Sequence, residues 1–223
     1  MSKTGGWLFL CLVGLLAACA GNSTAVSPAN DPLLVAAASN LQFAFTEMGQ
    51  QFEAQTGTAV TFTFSSSGNL AAQIENGAPY DLFAAADETF IDRLAAQDLI
   101  FPESRQVYAQ GQLVLAVNCA SGVTAMTLDD LLADNIRQIA IANPEHAPYG
   151  RAAQQALQSA NLWDALQPKI VYAENVRQAL QFVQTGDVPA GLVALAIADV
   201  PEVTMTAVPA TAHQPLNQTL AIP

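Results

Sequence analysis

The sequence predicts an α/β fold in which largely parallel sheets are covered by helices. Three observations carry this. Short apolar or β-branched runs alternate with helical patterns from residue 33 onward. Hydrophobic residues make up 52% of the 223 positions and charged residues only 12%, enough apolar material for a sizeable core. No internal repeat or low-complexity tract interrupts the alternation.

The N-terminus stands apart from this pattern. Lys3 precedes an apolar run over residues 7–18, shorter than the ~20 residues that span a bilayer. Residues 1–18 therefore read as a secretory signal. Residues 19–32 are small, polar and proline-containing, as expected of a flexible tether. Leu16-Ala17-Ala18-Cys19 is similar to a lipobox, which implies lipidation of Cys19 and a membrane anchor; an ordinary signal cut a few residues later is the alternative. Of the 3 cysteines, Cys11 lies in the signal and Cys19 is the expected lipid acceptor. Cys119 is left without a disulfide partner and reads as a small buried apolar residue near a strand end.

The remaining elements follow in order. Residues 33–38 form a short apolar strand. Leu41, Phe45, Met48 and Phe52 recur every three or four positions, which makes 41–55 an amphipathic helix stopped by Thr56-Gly57. Residues 60–64 alternate with threonine as a strand. A helix over 69–75 ends at Asn76-Gly77, and a strand over 81–85 leads to a helix over 88–97. Residues 106–117 read as one long strand. A short helix over 128–132, a strand over 138–142 and an Ala/Gln-rich helix over 150–159 follow, then a turn over 161–166. Strand 170–172, helix 174–184, strand 190–194 and strand 203–208 complete the pattern. In such sheets ligands sit beyond the carboxyl ends of strands.

Charge narrows the function. The chain holds 7 Lys+Arg against 19 Asp+Glu, a net charge of −12. Binding to nucleic acid needs basic patches, so no nucleic-acid partner is expected. Acidity by itself reads as solubility. A negative chain still binds an anion where backbone N–H groups and helix dipoles converge in a closed cleft.

Four segments suit that chemistry: 35–45, 65–74, 143–157 and 174–180. Each places small hydroxyl or amide donors where an apolar run hands over to a helix. The first N–H groups of a helix lack internal partners, and the dipole favours negative charge there. Ser39-Asn40 and Ser65-Ser66-Ser67-Gly68-Asn69 stand at two such junctions. A plain helix cap is the competing explanation for any one serine. His146 reads as a structural loop residue, since the chain has only 2 His and no metal-ligand spacing. Arg151, one turn inside a helix, is expected to pair with a carboxylate. Ser67 as a nucleophile lacks a G-x-S-x-G setting and a histidine with an evident orienting partner. The chain is therefore expected to be no enzyme; a small serine hydrolase using Ser67 is the rival from another class.

Taken together, AAASNL at 36–41, SSSGNLAAQIENGAPYDLFAAAD at 65–87, NPEHAPYGRAAQQAL at 143–157 and YAENVRQALQFVQTGDVPAGLVALAIA at 172–198 resemble the ModA family, the molybdate-binding proteins of bacterial ABC importers. The resemblance implies a two-lobe, periplasmic-binding-protein-like fold with the ligand cleft between lobes. Residues 33–110 and 195–223 would form lobe 1, and 111–194 lobe 2. Ser39, Asn40 and Ser67 would bind the oxyanion from lobe 1. Tyr149 and the backbone N–H of Val176 would bind it from lobe 2. Molybdenum would be held as molybdate with no direct protein–metal bond, and no cofactor is implied. Tungstate is a second expected ligand; sulfate or another tetrahedral oxyanion is the alternative. Some relatives carry Ala at the position of Tyr149 and a ligand-binding Tyr in the strand matching 191–195, where this chain has Ala194. The resemblance further implies an ABC permease partner, a monomer, and an extracytoplasmic, membrane-anchored lipoprotein. Relatives continue past the strand matching 216–222 into a helix that packs on lobe 1. With the present sequence stopping at Pro223, apolar side chains of lobe 1 are expected to face water.

Overall fold

Two crossings of the chain divide its strands into two five-stranded sheets. The structure is a computed structural model that describes residues 31–223; the expected signal, the expected lipid acceptor Cys19 and nearly all of the expected tether lie outside the described residues. The first sheet is built by β1 (Leu33–Ala38), α1 (Gln42–Thr56), β2 (Val60–Ser65), α2 (Ser67–Glu75), β3 (Leu82–Ala85), α3 (Thr89–Ala95) and β4 (Gln106–Gly111). The second is built by β5 (Leu113–Asn118), β6 (Ile139–Ala142), α4 (Pro148–Ser159), α5 (Trp163–Leu166), β7 (Ile170–Ala173), α6 (Val176–Thr185), β8 (Ala190–Ala194), α7 (Leu195–Ala198) and β9 (Val203–Ala207). β10 (Leu216–Ala221) returns to the first sheet.

The strand orders are β2-β1-β3-β10-β4 and β7-β6-β8-β5-β9. In each sheet the first three strands are parallel. The other two run antiparallel to their neighbours. The parallel expectation thus holds for the βαβ units. It fails for the crossing strands, which enter from the other lobe and need no helical return.

Two expectations about the strands are corrected. The single strand over 106–117 is two strands in different sheets, broken at Gln112. β5 is buried at all six positions, whereas β4 is exposed at most of its positions. A central strand needs an apolar run on both faces, while an edge strand tolerates Gln106 and Gln110. Residues 195–223 do not all belong with the first sheet. β9 pairs with β5, from Val114 opposite Ala207 to Asn118 opposite Val203. The chain rejoins the first sheet only at Leu216.

Helix α1 ends on Gly57, whose φ of 74° suits the left-handed cap that glycine adopts without a Cβ penalty. Its apolar face is not closed over. Met48 is 59% and Phe52 40% exposed, beside a groove floored by Val60 and Phe62. Apolar side chains of lobe 1 do face water, and only Gly49 of α1 is buried. Cys119 is exposed and not buried, because it lies one residue past β5 in a surface turn.

Candidate binding cleft

The cleft is built where β1, β2, β3, β6 and β7 end. β1 lies inside its sheet between β2 and β3, so its last residues are Ala36, Ala37 and Ala38, all buried. Ser39 and Asn40 follow in a 3-10 turn that leads into α1. The Ser39 hydroxyl oxygen accepts the backbone N–H of Arg177, from the opposite lobe, at 3.4 Å. Asn40 Nδ2 donates to Gln218 Oε1 at 3.0 Å, while Asn40 Oδ1 is buried without a partner. The Tyr108 hydroxyl donates to the same Gln218 oxygen at 3.4 Å.

After β2, Ser66 caps α2 by accepting the Asn69 N–H at 3.4 Å. Ser67, fully buried, opens the helix, and its oxygen accepts the Ala86 N–H at 2.9 Å. In the second lobe Pro148 takes the first position of α4, where a missing N–H costs nothing. Tyr149 comes next and is 2% exposed. Its hydroxyl is buried without a partner, lying against Gly111 and near Gln218 Nε2. Burial pushes the Tyr149 phenol well above its ordinary value of 10, so it stays protonated and able to donate at neutral pH. Burial does the same to Tyr108, with Tyr149 as a lesser cause. Asn175 caps α6 by accepting the Gln178 N–H at 3.0 Å, and Val176 opens that helix.

Ser39, Asn40, Ser67, Tyr149 and Val176 all line one cavity of about 10 Å³. No charged side chain lines it. Its walls combine hydroxyls, an amide and the starts of α2, α4 and α6. That set offers donors to an anion from several sides. Drug-sized ligands take pockets of roughly 300–1,000 Å³, so a space on the scale of one water molecule excludes them.

The lobes meet around this cavity. Arg151 pairs with Asp87 across the boundary, the carboxylate partner that sequence reasoning expected of it. Gly68 N–H donates to the His146 carbonyl at 2.9 Å, and Ser66 Oγ lies 2.9 Å from His146 Nδ1. His146 therefore faces Ser66 and not Ser67. Ser66 is occupied as a helix cap, and among the described residues no carboxylate orients the imidazole, so the arrangement is not that of a triad.

Sequence reasoning missed Gln218, Tyr108 and Gly111. Gln218 sits on β10, 178 positions from the Asn40 it holds, and no local spacing marks it. Asp87 carried one usable signal: it follows the carboxyl end of β3.

Two α/β lobes joined by crossing strands, closing on a small cavity of neutral donors, define a two-lobed solute-binding protein. The chain belongs to the bacterial extracellular solute-binding protein family, whose sequence profile matches residues 33–223. Its resemblance to the ModA proteins holds. It is 38% identical over 167 residues to the molybdate-binding protein ModA of Escherichia coli, covering 72% of this chain and 64% of that one. It is 36% identical over 195 residues to ModA of Azotobacter vinelandii, covering 87% of this chain and 74% of that one. The solved periplasmic molybdate-binding protein of Azotobacter vinelandii superposes with a TM-score of 0.79 at 38% identity, over 85% of this chain and 84% of that one. The chain thus spans less than two thirds of the Escherichia coli relative's length.

Proposed function

We propose that this chain is the extracytoplasmic solute-binding subunit of an ABC importer. It captures molybdate, with tungstate as a second cargo of the same shape, and delivers it to a membrane permease. The observation that carries this is the convergence of Ser39, Asn40, Ser67, Tyr149 and Val176 on one cavity with no charged wall. A tetrahedral dianion presents only acceptors. Hydroxyl protons and first-turn N–H groups supply the matching donors, and the dipoles of α2, α4 and α6 stabilise the charge. Lobe closure excludes water and strengthens each of those bonds.

The same wall argues against phosphate. Near neutral pH phosphate carries a proton that needs an acceptor, and neither Asp nor Glu lines the cavity. The Asn40 amide is compatible with a donor role. Turning both amides preserves the Asn40–Gln218 bond and presents Asn40 Nδ2 where Oδ1 now stands. Tyr149 supports the ModA-like reading. Its hydroxyl reaches Gly111, two positions from Leu113, which pairs with Ala194. The phenol is the group proposed to stand in, from the opposite loop, for the strand tyrosine of other relatives. The reading includes a monomer held at the membrane by lipid on Cys19, and no catalytic step.

Calorimetric titration with molybdate, tungstate, sulfate and phosphate tests it. Tight binding of molybdate and tungstate, weaker sulfate and no phosphate is expected. Preference for phosphate, or no binding of any of the four, overturns the reading.

A further inference from the structure

Two of the chain's seven basic residues stand at the rim of the cleft, and each crosses from one lobe to the other. Arg151 lies in the first turn of α4, two positions after Tyr149. Its guanidinium pairs with Asp87 and sits 5.0 Å from the centre of the Phe90 ring on α3. Arg177 is the second residue of α6, next to Val176. Its guanidinium sits 5.3 Å from the centre of the Phe43 ring on α1, and Nη1 donates to Gln184 at 3.0 Å. Neither arginine lines the cavity. Two of the three helix starts that present donors to the anion, those of α4 and α6, therefore also carry an arginine to an aromatic ring of the other lobe.

We infer that Arg151 and Arg177 form a paired clasp that holds the lobes shut, setting how long the anion stays and not how it is recognised. This rests on the oxyanion-binding reading above. Every partner of the clasp in the first lobe is lost when the lobes part, so its energy belongs to the closed state alone. A term present only in the closed state acts on release more than on capture. The placement also suits a protein that must hand its cargo on. An arginine in the cavity would bind the anion as a charge pair. An arginine on a rim phenylalanine leaves the anion to neutral donors and is separated from its partner by lobe opening alone.

The test follows release of labelled molybdate, chased with unlabelled molybdate, from wild type and from Arg151→Met, Arg177→Met and Phe43→Leu. Phe43→Leu removes the ring from the other lobe and leaves both arginines in place. The clasp predicts release faster by about three- to thirtyfold in each variant, with capture changed by less than the release. Unchanged release in all three, or slower capture with unchanged release, overturns it. If wild type retains neither molybdate, tungstate nor sulfate, the binding reading itself fails. Small-angle scattering of the ligand-free protein then decides the clasp: an Arg151→Met/Arg177→Met variant more open than wild type supports it, and identical profiles overturn it.

Discussion

Gly68 donates its N–H to the carbonyl of His146 across the lobe boundary at 2.9 Å, and a Cβ on Gly68 would stand 2.7 Å from that same oxygen. The absence of a side chain there lets α2 of one lobe meet the loop before α4 of the other. Gly68→Ala should therefore obstruct closure. Alanine suits a helix better than glycine, so α2 itself is not weakened. The expected outcome is an oxyanion affinity lower by about ten- to a hundredfold, at about 1.4 kcal/mol per decade, with an undiminished thermal midpoint in the ligand-free protein. Calorimetry and thermal melts on one preparation check both halves.

Tyr149→Phe separates binding from stability by sign. The Tyr149 hydroxyl is buried without a partner, and such a group costs about 1–3 kcal/mol. Its removal should leave the ligand-free protein as stable or more stable in urea. Oxyanion affinity should fall by about tenfold or more, because a hydrogen bond to a charged partner is lost. A fall in stability with affinity intact would remove Tyr149 from the site.

Ser67→Ala should lower both quantities. The Ser67 oxygen satisfies the Ala86 N–H at 2.9 Å, and losing it strands a buried donor at a cost of about 1–3 kcal/mol. Its hydroxyl is also proposed as an anion donor, so affinity should drop by about ten- to a hundredfold. Denaturation and titration of this variant beside Tyr149→Phe show whether the two residues differ as their partners do.

Acid should weaken the fold through named carboxylates. A hydrogen bond from Arg93, then one from Gln97, holds Glu75 below its ordinary 4.5. Asn217 and then Arg105 do the same for Glu88. The N–H groups of Met126 and Thr127 hold Asp130 below 3.8. A folded-state value below the unfolded one adds stability that is fully present above the unfolded value and lost as pH falls through the folded one. Urea midpoints should be flat above about pH 5 and decline below it. Glu88→Gln should make that decline shallower; an unaltered slope would show that Glu88 takes no part.

The strand–helix alternation was legible because its signals are local. β1 and β8 fall at the bounds that apolar runs predict, and α1, α2, α4 and α6 lie within a few residues of theirs. The junctions that carry the five proposed site residues were legible for a related reason, while the residues' roles as oxyanion donors were implied by the resemblance to ModA. Each residue sits at or near a junction where a strand hands over to a helix, and capping chemistry depends on neighbours within one turn. The resemblance to ModA then joined four junctions that local reasoning could only treat singly.

What the sequence by itself determined about this protein is therefore its elements, its apolar core and the chemistry of the residues at its strand ends. The tertiary structure alone decided which strands share a sheet. It broke the 106–117 run at Gln112 and sent β9 to the second lobe. It also decided that Gln218 would hold Asn40, that Gly111 would leave room for Tyr149, and that Arg177 would lie on Phe43. The physical reason is that these contacts join residues tens to hundreds of positions apart. Hydrophobic periodicity reports which face of an element is buried, but not what buries it. The partner on the far side is fixed only when the crossing strands bring the two lobes together.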